Sequence, residues 1–361
     1  MHKKMICLGW VFAMTIAFVQ IVSAQQAPAQ KLDALIKAAQ AEGELNLVAG
    51  GDVWGEESVS LLQNALNKKY GLNIKVRYAA GPSMPVMTGR VIETHKAGVK
   101  SDTDLLVANA RPVNLVFGQG VTRPYPWRDV FPHVPADTIE AEGQLIRFVD
   151  VLSGMNYNTR EIKGADVPRR LRDVLNPKWK GKIASTPYAA GLYFFASDRA
   201  WGYDKALEFI KTLSGHIGGL IRCGEDARIA SGEFLMLVKN CGNYGGENYA
   251  RHTGAPVGTV WDEDPSVIDS FYCVVPVNSA HPNLATLAVG FLMTKEGQDI
   301  LYDKVGWCSA SVEGTPVSKQ YKEAETKGLK ILKYTAASWR GEEGKVMSKA
   351  ATEFAKILAG R

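Results

Sequence analysis

Short motifs that mark common enzyme classes are missing from this sequence. It contains no G-x-S-x-G elbow, no H-E-x-x-H zinc motif and no phosphate-binding G-x-x-x-x-G-K-[ST] loop. The pair Gly50-Gly51 lacks the G-x-G-x-x-G spacing of dinucleotide loops. The histidines beyond residue 24 have no second histidine or cysteine at metal-ligand spacing. We therefore expect neither a catalytic residue nor a bound cofactor.

Dense positive charge and a second long apolar run are also missing. The formal net charge is +5, and no cluster of lysine and arginine residues stands out. Nucleic acids attract basic patches, so we expect no nucleic-acid partner. No apolar segment beyond the N-terminus approaches the ~20 residues that a membrane-spanning helix needs. We expect the mature protein not to span the membrane.

The N-terminus has the layout of a secretory signal peptide. Two lysines precede a mostly apolar run over residues 6–22, and Ala24 follows as a small residue at the cleavage position. A transmembrane anchor is the alternative, but the run is short and ends at a processing site. Cys7 lies at the beginning of the run, where it cannot carry a lipid anchor after cleavage. These features predict removal of residues 1–24 and a soluble periplasmic protein.

Four cysteines remain beyond the signal peptide: Cys223, Cys241, Cys273 and Cys308. Disulfides persist in exported proteins, and four cysteines allow three pairings. We predict Cys223–Cys241 and Cys273–Cys308, because near neighbours along a chain more often share a lobe. Buried free thiols are the alternative. No C-x-x-C occurs, so we expect no thioredoxin-type redox site.

Strand–loop–helix units repeat along the first third of the chain. Apolar residues at helical spacing predict a helix over 29–41. Alternation predicts a strand over 44–49 that runs into a glycine loop. A helix, a strand, a helix and a strand are predicted next, at 57–69, 74–78, 84–97 and 104–107. Repeated units of this kind predict a mostly parallel sheet with helices on its faces.

A second set of units occupies the middle of the chain. A strand, a helix and a helix or helix–strand pair are predicted at 183–185, 204–213 and 227–238. Two extended apolar stretches flank this set, at 146–155 and 270–277. We interpret them as crossings, by which the chain leaves a first lobe, builds a second one and returns.

The length of the chain favours more than one compact core. A largely helical region over 281–301 follows the return crossing. We predict that lobe 1 comprises residues 30–150 plus 275–330 and that lobe 2 comprises 151–274. Residues 331–361 are expected to form a helical segment packed on one of the lobes.

Specific motifs occur in a recognisable order in the second half of the chain. Residues 171–183 read L-R-D-V-L-N-P-K-W-K-G-K-I, and residues 280–283 and 296–298 read A-H-P-N and E-G-Q. Together they resemble the extracellular solute-binding proteins of ATP-driven (ABC) importers, particularly the branch that includes ferric-ion-binding proteins. The resemblance covers about residues 40–320. It implies the α/β periplasmic binding fold of the second topological type, with two lobes joined by crossing hinge strands.

The resemblance also implies a ligand cleft between the lobes. In open α/β sheets, ligands bind beyond the carboxyl ends of strands, where helix N-termini present unpaired N–H groups. Loops with that placement contain the candidate ligand-binding residues Gly51, Asp52, Trp54, Ser83, Asn109, Thr186, Tyr188, Gly191, Tyr244, Trp261 and Asp262. Each has a structural alternative: turns for the glycines, a helix cap for Ser83, packing for the tryptophans and a solvated turn for the acids.

The ferric-ion-binding relatives hold their metal with two adjacent tyrosines, which are hard oxygen ligands. The corresponding loop here has Tyr244 alone, and Tyr249 follows five residues later. This departure argues against iron; Tyr244 and Asp262 are the candidates if a metal binds. The glycine loops and aromatic candidates favour a small organic ligand with an anionic group. A cation held by the aromatic residues and Asp262 is the alternative.

We predict a non-catalytic, periplasmic substrate-binding subunit of an ABC uptake transporter. It is expected to be a monomer, with a small-molecule ligand and the membrane subunits of an ABC permease as partners. A ferric-ion or other metal-binding transport protein is the first alternative. A ligand-sensing subunit and a periplasmic enzyme on the same fold are the others.

Overall fold

The computed structural model describes residues 28–50, 54–242 and 245–360. Across these ranges, no helix combines the length and the apolar character that a membrane span requires. Four predictions lie outside the described residues: the signal peptide with its cleavage site near Ala24, and the ligand candidates Gly51, Asp52 and Tyr244.

Alternating helices and strands build the first part of the fold. Helix α1 covers residues 28–42, and β1, α2, β2, α3, β3 and α4 follow at Glu44–Gly50, Glu56–Tyr70, Lys75–Gly81, Met84–Lys96, Leu105–Asn109 and Ala110–Gly118. Strand β1 pairs in parallel with both β2 and β3. The elements predicted in this region are confirmed, with their ends shifted by a few residues.

Helix α2 shows why these elements form where they do. Val59, Leu62 and Leu66 are buried at helical spacing and attach one face of the helix to the sheet. The helix ends at Gly71, whose φ of 65° is left-handed and whose N–H bonds to the carbonyl of Asn67. Glycine adopts this conformation without a steric penalty, so it stops the helix.

Strand β5, Leu145–Asn158, carries the chain from one part of the sheet to the other. A short helix α5 and a strand β4 precede it at Trp127–Val130 and Ile139–Glu140. Residues 146–153 of β5 pair antiparallel with the return strand β10, whereas residues 154–158 pair with β9. The first predicted crossing is confirmed by this change of partner.

The second part of the sheet is built from shorter strands. Strands β6, β7, β8 and β9 cover Ile183–Ser185, Gly219–Leu220, Met236–Leu237 and Val257–Trp261, and helices α6, α7 and α8 cover Tyr203–Ser214, Asp226–Ala230 and Gly245–Thr253. β6 pairs in parallel with β7 and β8. The strand order along the sheet is β2-β1-β3-β10-β5-β8-β6-β7. Below, lobe 1 denotes the β2-β1-β3-β10 side and lobe 2 the β8-β6-β7 side.

The return strand β10 covers Ser266–Val274 and lies entirely beside β3 and the first half of β5. The chain therefore crosses back through residues 262–265, between β9 and β10, and the predicted return crossing at 270–277 lies too late. Helices α9, α10 and α11 follow at Pro282–Leu292, Lys295–Val305 and Pro316–Thr326. The numerical boundaries predicted for the two lobes stay predictions.

The C-terminal segment contacts both lobes. Strand β11, Ile331–Tyr334, pairs in parallel with β10, and helix α12, Gly341–Ala359, packs against α6. Tyr334 stacks on Phe194 of lobe 2 with ring centroids 4.6 Å apart. The segment predicted as helical thus also contributes a strand to the sheet.

One predicted disulfide is confirmed and the other is wrong. Cys223 and Cys241 are bonded, with their Cα atoms 5.8 Å apart. Cys273 and Cys308 are buried free thiols. Cys273 lies opposite Ile146 of β5, whereas Cys308 bridges to Asp150 of the same strand. Four residues of strand separate those positions by about 13 Å, which exceeds the reach of a disulfide.

We expect this cysteine pattern to appear in peptide mapping by mass spectrometry. Without reductant, Cys273 and Cys308 should resist alkylation in the folded protein, because burial raises the pKa of Cys308 to about 11 and Cys273 is buried in the sheet. Both should react once the protein is unfolded, while Cys223 and Cys241 stay linked. A peptide pair joined through Cys273 and Cys308 would contradict the structure.

Candidate functional site

A cavity of about 310 Å³ lies between the two lobes. The loop after β8, residues 240–242, forms one wall, and residues 223–226 form the next. Helix α8 contributes side chains from its middle and last turns. Lys304 and Val305 at the end of α10, with Trp307 just after it, line the cavity from lobe 1. Both lobes therefore contribute to the walls of one open cavity.

Two asparagine side chains tie the cavity to the crossing strand. Asn240 Nδ2 donates to Asn156 Oδ1 at 2.7 Å, and Asn240 Oδ1 accepts from the N–H groups of Gly154 at 2.9 Å and Gly242 at 3.2 Å. Asn156 Nδ2 donates to Asp226 Oδ1 at 2.7 Å. Because Gly154 and Asn156 belong to β5, the lobe 2 wall is attached directly to the hinge strand.

The disulfide forms part of the cavity wall, and a predicted ligand residue covers it. The hydroxyl of Tyr188 accepts a hydrogen bond from the N–H of Cys223 at 2.9 Å and lies 3.6 Å from Cys241 Sγ. Tyr188 is 40% exposed. Three loops of lobe 2, those holding Tyr188, Cys223 and Cys241, therefore meet at the rim of the cavity.

The rest of the predicted 186–191 loop is fixed by its own contacts. Thr186 Oγ1 accepts from the N–H of Ala190 at 2.8 Å. Gly191 has a left-handed φ of 69°, and a Cβ there would lie 2.5 Å from Ser153 Oγ. Only glycine fits this position. Thr186 and Gly191 shape the loop, and direct ligand contact by either residue stays a prediction.

The lobe 1 candidates lie at helix starts or in the core. Ser83 is the N-cap residue of α3, yet its side chain makes no capping hydrogen bond. Asn109 precedes α4, and its Nδ2 donates to Asp269 Oδ2 at 3.0 Å. Burial raises the pKa of Asp269 to about 7. Trp54 is only 2% exposed and packs in the lobe 1 core, as its structural alternative predicts.

Asp262, predicted to face the ligand, forms a buried ion pair with Lys239. Both side chains have 0% exposure. Lys239 Nζ also donates to the carbonyl of Ser153 at 2.9 Å. The pair joins the end of β8 to both crossings, because Ser153 lies in β5 and Asp262 in the return link. Trp261, the last residue of β9, packs near Cys308 instead.

Tyr188 thus contacts Cys223 and Cys241, which line the cavity, whereas Trp54 and Asp262 are not among the lining residues. The cavity residues Asn156, Asp226, Asn240 and Trp307 were not among the predicted ligand residues. Asn156 carried a signal, because it belongs to an N-Y-N-T stretch directly after the crossing strand. Within the described ranges, no three His, Cys, Asp or Glu side chains converge as a metal site.

The chain matches a known protein family in sequence and known structures in fold. The family model described as bacterial extracellular solute-binding protein matches residues 106–338. No curated protein shows significant similarity to the chain. Among solved structures, a substrate-binding protein of an ABC transporter from Agrobacterium tumefaciens has a TM-score of 0.71 at 16% identity, over 89% of this chain and 96% of that one.

Two further similar structures are of ligand-bound proteins. Iron-bound HitA from Pseudomonas aeruginosa has a TM-score of 0.69 at 18% identity, over 86% of this chain and 99% of that one. AgtB from A. tumefaciens R10, in complex with agropinic acid, has a TM-score of 0.67 at 16% identity, over 88% and 99%. Identities this low establish the fold alone, and the predicted two-lobe periplasmic binding fold is confirmed.

The Lys239–Asp262 pair leads to a stability prediction. Lys239→Met leaves the Asp262 carboxylate buried without its cation, so we expect the free energy of unfolding to fall by about 3–5 kcal/mol. The double variant K239M/D262L, with both charges removed, should recover most of that loss. Urea denaturation measures both effects. The control Lys345→Met breaks an exposed pair with Glu342 and should change stability by less than about 1 kcal/mol.

A K239M variant as stable as the unsubstituted protein would contradict the description of Lys239–Asp262 as a buried ion pair that stabilises the fold. A double variant no more stable than K239M would contradict it as well, because the single loss would then not come from an uncompensated charge.

Proposed function

Because this chain belongs to the bacterial extracellular solute-binding proteins, we propose that it is the substrate-binding subunit of an ABC uptake transporter. It is exported to the periplasm, captures a small ligand between its lobes as a monomer and delivers it to the permease. The observation that carries the proposal is the cavity whose walls come from residues 240–242 on one side and Lys304–Trp307 on the other.

The crossing strands supply the movement that capture requires. The cavity walls belong to different lobes, and β5 and the 262–265 link join those lobes. Bending at such links opens or closes the space between two lobes. A ligand that contacts both walls binds the closed form better and shifts the population toward it. Permease recognition of that closed form would couple capture to delivery.

The cavity wall favours a small organic ligand. Leu237, Val305, Trp307 and the disulfide give it apolar surface, alongside polar side chains that include Asn156, Asn240 and Asn248. Ligand cavities in proteins typically enclose ~300–1,000 Å³ and combine apolar walls with a small number of polar groups. A cavity of about 310 Å³ suits a ligand at the small end of that range.

Ferric-ion transport is the second candidate, and one observation favours it. Tyr249 and Asp226 line the same cavity, and both carry the hard oxygen ligands that suit ferric ion. HitA, whose fold is similar, is iron-bound. Neither an enzyme nor a sensing subunit has comparable support from the arrangement of residues.

A ligand screen tests the proposed function. Thermal unfolding of the purified protein is measured with sugars, amino acids, amines, carboxylates, phosphates and ferric citrate. A true ligand should raise the melting temperature with concentration, corresponding to about 2.7 kcal/mol at ~100 times Kd. Tyr249→Ala removes a ring from the cavity wall and should weaken binding about tenfold.

Tyr321→Ala is the matched control, because Tyr321 is also half-buried but lies on α11, away from the cavity. It should leave the affinity unchanged. Failure of every compound class to shift the melting temperature would contradict the proposal. If ferric citrate alone shifts the melting temperature and a visible charge-transfer band appears, the ligand is ferric ion and not an organic compound.

A further inference from the structure

Asp226 is a buried carboxylate with an incomplete set of partners. It is 5% exposed, and within the described part of the chain its side chain receives one hydrogen bond, from Asn156 Nδ2 at 2.7 Å. Among residues 28–50, 54–242 and 245–360, no lysine or arginine forms an ion pair with it. Its side chain lines the cavity between the lobes.

A carboxylate in this setting is unfavourable for the empty protein. Burial raises the pKa of Asp226, and the hydrogen bond from Asn156 offsets only part of that effect. Buried charges in proteins are normally paired, because removing an ion from water without compensation costs several kcal/mol. The same chain pairs the buried Asp262 with Lys239, so the lack of a cation at Asp226 among the described residues is a local feature of the cavity.

Two basic side chains also line the cavity, and neither is available as the partner of Asp226. Lys304 Nζ lies 2.7 Å from Glu57 Oε1 and 3.5 Å from Asp303 Oδ2, so two carboxylates balance its charge. His252 is exposed, with Nδ1 2.9 Å from the carbonyl of Asn248 on its own helix. The remaining wall combines the rings of Tyr249 and Trp307 with the amide side chains of Asn156, Asn240 and Asn248.

We propose that the cavity binds an organic cation, a primary ammonium or guanidinium group on a small apolar body, with Asp226 as its counter-ion. The proposal rests on the proposed function and names its substrate class. The ligand cation would form an ion pair with the Asp226 carboxylate. The rings of Tyr249 and Trp307 line the same cavity. Aromatic faces attract cations and also cover apolar groups.

The anionic ligand expected from the sequence fits this cavity less well. An anion in the cavity would share the space with the Asp226 carboxylate, and like charges at close range repel each other. Helix α7 begins beside the cavity but has only five residues, too few to attract an anion by its own field. The charge balance of the wall therefore favours a positive ligand.

Calorimetric titration with charge-matched probes tests the proposal. 1,4-Diaminobutane and benzylamine are compared with succinate and benzoate, which have the same carbon skeletons and the opposite charge. We expect the purified protein to bind at least one amine and neither carboxylate. Asp226→Asn should weaken amine binding at least about tenfold, the loss expected for one charge-assisted hydrogen bond.

Asp204→Asn is the control variant, because Asp204 is an exposed aspartate of lobe 2 outside the cavity. It should bind amines as the unsubstituted protein does. Asparagine can keep the hydrogen bond with Asn156, and the thermal unfolding of D226N shows whether it is folded. If that variant does not fold, the preference of the unsubstituted protein for amines over matched carboxylates decides the question.

Three results would overturn the proposal. Binding of a carboxylate but no amine would show that the ligand is an anion, and the proposed transport function would still hold. If folded D226N binds amines as tightly as the unsubstituted protein does, Asp226 is not the counter-ion of the ligand. Binding of neither series would reject an organic cation, and the wider ligand screen would then judge the proposed function separately.

Discussion

Strand β5 is the constraint on which the arrangement of the molecule depends. Its first half is hydrogen-bonded to β10 in lobe 1 and its second half to β9 in lobe 2. The strand is buried along nearly its whole length, so both of its faces must pack. The amide of Gly154 and the side chain of Asn156 then hold Asn240, and through it the lobe 2 wall of the cavity. Hinge and binding wall are therefore parts of one hydrogen-bonded unit.

Two buried aspartates near this unit have opposite environments. Asp262 has Lys239 within contact, and the pair stabilises the junction where the crossings meet. Asp226 has an asparagine amide but no cation from the described part of the chain. Asp262 faces its cation inside the protein, whereas Asp226 lines the cavity and can receive a cation from a ligand. For this reason Asp226 and not Asp262 carries the ligand proposal.

Local sequence patterns predicted the elements of the fold well, because periodicity and glycine stops act within one helix or strand. Helix α2 with Gly71 and the short strand Ile183–Ser185 are examples. Pairings between distant residues were harder to predict. The Cys273–Cys308 bond failed because the register of β5 holds the two residues apart, and no local pattern encodes that register. Asp226 was missed for the same reason, since Asn156, which defines its setting, lies 70 residues away.

The central claim is that a ligand is held between the lobes at Asp226. A crystal structure of the protein with the tightest-binding compound tests it most directly. The account predicts electron density for the ligand inside the cavity, with a cationic nitrogen within hydrogen-bond distance of the Asp226 carboxylate and the ligand body against Trp307. Density that contacts one lobe alone, or that lies outside this cavity, would contradict the account.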